Sequence, residues 1–160
     1  MRETLVLSIA LALGAHTIAL AQAKPDFSGT WRLNQARSSR AVVGNTPDIP
    51  FPSQIEVQQS ATDISILGTS VRQQPVSAVF TLDGSKANVK TPEGITETGE
   101  ARLEGQTLIV TSKRSFSSPA GDVVVEFKEV WNLDAGALTI EKTRTQSGES
   151  STQKAVYDKR

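Results

Sequence analysis

The sequence has no cysteine and one histidine among its 160 residues. The absence of cysteine excludes disulfides, thiolate nucleophiles and Cys-ligated zinc. One histidine gives little basis for a His-based catalyst or a multi-histidine metal site. The charges balance, with 17 Lys plus Arg against 17 Asp plus Glu, which argues against a nucleic-acid or anionic-membrane partner. We therefore expect a compact domain with no cofactor and no metal.

The first 23 residues have the pattern of a signal peptide. Arg2 supplies a positive charge, residues 5–13 form an apolar run, and Ala21-Gln22-Ala23 is a small-x-small cleavage site. A membrane-spanning helix needs about 20 apolar residues, and polar residues interrupt this stretch soon after residue 13. We predict a signal peptide over residues 1–23, one domain over residues 24–160 without a membrane-spanning segment, and a periplasmic or secreted location.

The mature domain is expected to be all-β. Short runs of alternating apolar and polar residues are separated by turn signals, which is typical of an antiparallel sheet. The predicted strands are residues 29–34, 55–57, 64–66, 76–82, 86–91, 95–103, 106–116, 123–133, 138–144 and 151–158. Closure of such a meander into a single up-and-down barrel would remove exposed edges. A two-sheet sandwich is the competing architecture.

Some connections can be predicted as well. Residues 35–53 contain several prolines and read as a long loop, since proline disrupts helices and interior strands. Asp83-Gly84 is expected to turn the strand over residues 76–82 onto the strand over residues 86–91. Glu104-Gly105 is expected to be a two-residue turn between the next two strands.

Short motifs at the two ends of the mature chain resemble those of a known family. Phe27 is followed by Gly29-Thr30-Trp31 on the first predicted strand, and the last strand ends in Val156-Tyr157-Asp158-Lys159. These motifs are similar to those of the calycin superfamily, which holds the lipocalins and the fatty-acid-binding proteins. The whole chain most resembles small exported bacterial lipocalin-like domains.

The alternating pattern predicts about nine strands, and the resemblance implies that they form an antiparallel calycin-type barrel. It implies a structural role for Trp31 across the closed end, where Gly29 would allow close backbone approach. It also implies that Tyr157 faces inward. The arginine that contacts the ligand carboxylate in fatty-acid-binding proteins is replaced here by Ala155, and residues 35–53 do not provide that family's helix pair.

Hairpin registers follow from turn length and side-chain parity. Pairing Phe116 with Val123 places Lys113 opposite Glu126 on the outer face, a favourable cross-strand pair. The same reasoning through the last hairpins predicts an apolar base made of Leu108, Trp131, Leu138 and Ile140. The inner face above this base is then polar and carries Arg114, Glu129, Lys142, Arg144 and Gln153. Glu97 joins this set and faces Ser112 if Glu104-Gly105 forms the turn.

Two interpretations of the inward cations stay open. Arg114 and Arg144 can extend their charged heads into water from strand ends. Alternatively, they line a pocket and hold the acidic head of an amphipathic ligand, because arginine suits carboxylate recognition. The predicted ligand-binding residues are Arg114, Arg144, Lys142, Glu129, Gln153 and Tyr157.

The leading hypothesis is an exported binding protein for a small hydrophobic or amphipathic molecule, with residues 35–53 as a lid. A cavity of roughly 300 Å³ or more would favour it. One alternative is a structural or interaction protein of the cell envelope, with a filled barrel and an exposed apolar patch at Ile109 and Val130. The other alternative is a barrel isomerase that works without His or Cys. No catalytic residue is predicted, because Glu97 and Glu129 have cationic neighbours, and cations beside a carboxyl group disfavour its use as a general acid.

Overall fold

The structure of the protein, a computed structural model, describes residues 23–39, 51–70 and 73–160. The predicted signal peptide, apart from Ala23, lies outside the described residues, as do residues 40–50 of the predicted loop. Within the described ranges there is no helix long and apolar enough to cross a membrane.

The described chain forms one antiparallel sheet of ten strands, as the alternating pattern predicts. Along the sheet the order is β4-β3-β2-β1-β10-β9-β8-β7-β6-β5, so adjacent strands of the sheet are consecutive in sequence except where β1 meets β10. One continuous sheet that nearly closes on itself confirms the barrel and excludes the sandwich. The strands are β1 (Gly29–Leu33), β2 (Gln54–Gln59), β3 (Asp63–Ser70), β4 (Gln73–Thr81), β5 (Ala87–Asn88), β6 (Ile95–Glu104), β7 (Thr107–Ser118), β8 (Gly121–Asp134), β9 (Ala137–Gln146) and β10 (Glu149–Lys159).

The predicted hairpin across Asp83-Gly84 forms only in part. Ser77 and Lys90 are joined by two backbone hydrogen bonds in the register that this turn predicts. Otherwise β4 pairs with β3, and β5 pairs with β6. The turn is held toward β6 instead, because the Gly84 N–H donates to the carbonyl of Ala101 over 3.1 Å. This crossing segment joins the two ends of the sheet.

The predicted registers between β7, β8, β9 and β10 are confirmed. Phe116 pairs with Val123 and Leu133 pairs with Leu138. The β6–β7 register is shifted by two residues from the prediction, because Gly105 and Gln106 form the turn. Gly105 has a φ of +61°, which suits glycine at the first central position of a type II′ turn. A shift of two preserves side-chain parity, so the predicted inward faces are retained.

Trp31 closes one end of the barrel. Its side chain is buried, and its indole Nε1–H donates to the carbonyl of Phe27 over 2.9 Å. The Phe27 ring in turn packs edge-to-face on Trp131, with centroids 6.3 Å apart. Gly29 has a φ of +140°, a backbone conformation that favours glycine, and its Cα lies close to the side chain of Lys159. The motif at the start of the chain therefore builds the packing of this end.

The core is continuous with this closed end. The four residues predicted for the base are all at most 2% exposed, namely Leu108, Trp131, Leu138 and Ile140. The apolar patch considered for a protein partner is not exposed. Ile109 and Val130 do pair on the outer face, but Ile109 is only 7% exposed.

Candidate functional site

A cavity of about 140 Å³ lies inside the barrel, between the apolar base and the charged inner face. Its apolar wall comes from β2, β3, β4, β7, β8 and β9 and from residues 51–52. Its polar wall consists of Glu97, Ser112, Arg114, Glu129 and Lys142. The volume is below the roughly 300 Å³ expected for a typical small-molecule site. It is close to that of a cavity of about 150 Å³ that admits benzene.

The first ion pair of the polar wall joins β6 to β7. Glu97 and Arg114 are register partners, and Nη2 of Arg114 lies 2.6 Å from Oε2 of Glu97. Nε of Arg114 donates to the same oxygen over 2.7 Å. The other carboxylate oxygen accepts from the Ser112 hydroxyl over 2.7 Å. Both charges are largely withdrawn from water, with side chains 15% and 7% exposed for Arg114 and Glu97.

The second ion pair joins β8 to β9. Glu129 and Lys142 are register partners, and Nζ of Lys142 lies 3.0 Å from Oε1 of Glu129. The second oxygen of Glu129 accepts from the indole Nε1–H of Trp131 over 2.9 Å. Each carboxylate of the polar wall thus has one cation and one neutral donor, which is the arrangement that makes burial of a charge tolerable.

Phe127 lies between the two cations. Its buried ring has Nζ of Lys142 at 4.7 Å and Cζ of Arg114 at 5.3 Å from its centroid. These distances are within the range of cation–π attraction. The ring therefore links the two ion pairs into one cluster.

The other predicted ligand residues lie apart from the cavity wall. Arg144 donates to the side-chain oxygen of Gln146 on the same strand. Gln153 is buried and pairs with Lys142 between β9 and β10. Tyr157 is fully buried and donates its hydroxyl to the carbonyl of Pro52 over 2.9 Å. Of the six predicted ligand residues, Arg114, Lys142 and Glu129 line the cavity.

Tyr157 is held in its neutral form. Burial raises the pKa of its phenol above the ordinary value, and the negative charge of Glu129 adds to the effect. The hydroxyl acts as a hydrogen-bond donor that ties the chain at Pro52 to β10.

In the described part of the chain, no group of three or more Asp, Glu, His or Cys side chains is placed to hold a metal ion. In the same residues, no buried side-chain nitrogen or oxygen lacks a hydrogen-bond partner.

Sequence reasoning missed two features of the site. Phe51 and Pro52 line the cavity, although the sequence indicated only that they belong to a proline-rich loop. Nothing in the spacing of Phe127 indicated that two cations would stack on its ring. The position of Glu97 opposite Arg114 could have been found from the charge match, which favours the observed register over the predicted one.

Comparisons with known proteins support the fold. No protein-family model matches the sequence, and no curated protein matches it. Among solved structures, the zebrafish ileal bile acid-binding protein complexed with cholic acid is similar, with 15% sequence identity and a TM-score of 0.54. The match covers 84% of this chain and 98% of that chain. Together with the nearly closed ten-stranded sheet, this likeness shows that the chain has a calycin-like β-barrel fold.

Proposed function

We propose that this protein is an exported, lipocalin-like binding protein that holds a small hydrophobic or amphipathic molecule inside its barrel. The observation that carries the proposal is the cavity between the apolar base and the Glu97–Arg114 and Glu129–Lys142 pairs. Ligand sites in proteins combine a mostly apolar wall with a few fixed polar groups, and this cavity has both.

The cavity volume limits the size of the ligand. A space of about 140 Å³ accepts a molecule near the size of benzene. The similar zebrafish structure contains cholic acid, a steroid, which supports binding inside this type of barrel. A ligand of that size would require the cavity of this protein to open.

A second candidate function is that of a structural protein of the cell envelope with a filled barrel. The small cavity and the internal pairing of its charges favour this candidate. It predicts that the purified protein carries no molecule in its interior.

Native mass spectrometry of the protein purified from its own host compartment tests the proposal. We expect a co-purifying molecule that is released on denaturation and is lost in the variant Ala78→Leu, whose larger side chain fills the cavity. Val79→Leu is the matched control, because Val79 is the next residue on β4 and is 61% exposed. Wild-type protein with no bound molecule would favour the filled barrel and contradict a binding role.

A further inference from the structure

We infer that the cavity selects an uncharged ligand with a hydrogen-bond acceptor, such as a hydroxyl or a carbonyl, over a carboxylate or an ammonium of the same shape. This inference rests on the proposed binding function and narrows its ligand class. It arises because each charged side chain on the cavity wall already has a partner of opposite charge.

The formal charges of the side chains on the cavity wall sum to zero. Glu97 pairs with Arg114, and Glu129 pairs with Lys142, at 2.6 Å and 3.0 Å. A carboxylate ligand would add one negative charge, and an ammonium ligand would add one positive charge, to a wall whose charged side chains are at most 20% exposed. A buried charge is costly unless it gains a partner of its own, and the cavity wall offers none that is not already paired.

The geometry of Arg114 disfavours a carboxylate ligand specifically. Its Nε and Nη2 both point at Oε2 of Glu97, so the side of the guanidinium fork that binds carboxylates best is occupied. Glu97 is also fixed from the other side by the Ser112 hydroxyl. A ligand carboxylate would have to share Arg114 with a buried, doubly anchored side chain that carries the same charge.

A neutral hydrogen-bond acceptor on the ligand fits the unused N–H donors of the cavity wall better than a charged group does. The Lys142 ammonium has three N–H donors, and its bond to Glu129 uses one of them. Arg114 has five donors, of which the contacts to Glu97 use two. These remaining donors favour a ligand oxygen with lone pairs and no charge. The apolar wall, which includes Ile55, Val110 and Ile140, suits the rest of such a molecule.

Three probes of similar shape and different charge test this inference, namely benzyl alcohol, benzoate and benzylamine at pH 7. Their dissociation constants for the full mature protein are measured by NMR titration. We expect benzyl alcohol to bind at least about tenfold more tightly than either ion, a factor that corresponds to about 1.4 kcal/mol. Benzoate or benzylamine binding as tightly as benzyl alcohol would overturn the inference and leave the binding function intact. Failure of all three probes to bind would instead contradict the proposed binding function.

The variant Glu97→Gln tests the cause. It removes the carboxylate that holds Arg114, so the affinity for benzoate should rise at least about tenfold while that for benzyl alcohol changes little. Glu100→Gln is the matched control, since Glu100 lies on the same strand and bonds Thr111 instead of a cavity residue. If Glu97→Gln does not fold, the affinities of Glu129→Gln for benzoate and benzyl alcohol are measured instead. This substitution frees Lys142, so the same rise in benzoate affinity is expected. An unchanged preference in the folded variant would overturn the inference.

Discussion

Arg114 and Glu97 form an ion pair across β6 and β7 in which two guanidinium nitrogens, Nε and Nη2, contact one carboxylate oxygen. The pair is largely buried, and it sits beside the outward pair of Lys113 and Glu126, whose side chains are 59% and 61% exposed. Adjacent positions of β7 thus contribute to one buried ion pair with β6 and one exposed ion pair with β8.

This adjacency gives a matched stability test. Arg114→Met leaves the Glu97 carboxylate buried without its cation, so the free energy of unfolding should fall by about 3 kcal/mol. Lys113→Met breaks an exposed pair and should cost less than about 1 kcal/mol. Chemical denaturation of both variants measures the difference. Equal losses in the two variants would contradict burial of the Arg114 pair.

Tyr157 should make the protein sensitive to alkaline pH. Its pKa is raised in the folded state, so its contribution to stability is full below the unfolded pKa of about 10 and is lost as pH rises. Above pH 10, each pH unit should lower the free energy of unfolding by about 1.4 kcal/mol more than in Tyr157→Phe.

The measurement is simple because the chain contains one tyrosine. Tyrosinate absorbance should appear together with the loss of β-sheet circular dichroism. A tyrosinate signal at pH 10 in protein that keeps its sheet would show that the phenol is accessible and would contradict its burial.

Filling the cavity should separate ligand binding from stability. Ala78 lines the cavity and packs against the core, so Ala78→Leu places extra apolar atoms in empty space. We expect thermal stability to stay within about 1 kcal/mol of wild type, because the added atoms gain burial at the risk of overpacking. Affinity for benzyl alcohol should fall at least tenfold by the same NMR titration. Val79→Leu should change neither quantity, and retained affinity in Ala78→Leu would place the ligand elsewhere.

Cleavage of the predicted signal peptide would give a mature protein with a defined first residue. Protein recovered from its host should begin at Lys24, and it should be found in the periplasm or the medium. Intact-mass measurement on fractionated cells tests both statements. A full-length chain that begins at Met1 and stays in the cytoplasm would contradict the proposed export.

Long strands with paired charges were the most predictable part of the fold. The β7–β8 register follows from Phe116 opposite Val123 and from the Lys113–Glu126 pair, and the β9–β10 turn follows from Ser147-Gly148. Both turn residues at Ser147 and Gly148 have positive φ, which is the signature of a type I′ hairpin. Local turn chemistry and alternation were sufficient at these places.

The predicted strand pairings differ from the observed ones where the turn residues are compatible with more than one pairing. Glu104-Gly105 and Gly105-Gln106 can both form a two-residue turn, and the position of Gly105 and the cross-strand match of Glu97 with Arg114 favour the observed register. The Asp83-Gly84 segment resembles a hairpin turn, but its backbone bonds to Ala101 at the far end of the sheet. Cavity volume was unpredictable too, because it depends on how Phe51, Pro52 and Phe80 pack across the barrel.

The indole N–H of Trp131 offers the most direct measurement of the central claim, which is that a small molecule binds inside the barrel. The chain has two tryptophans, and Trp131 lines the cavity whereas Trp31 bonds Phe27 at the closed end. In a titration with benzyl alcohol followed by NMR, we expect the indole N–H resonance of Trp131 to shift and saturate while that of Trp31 stays in place. A Trp131 resonance that does not move at concentrations up to the solubility of the probe would contradict the account.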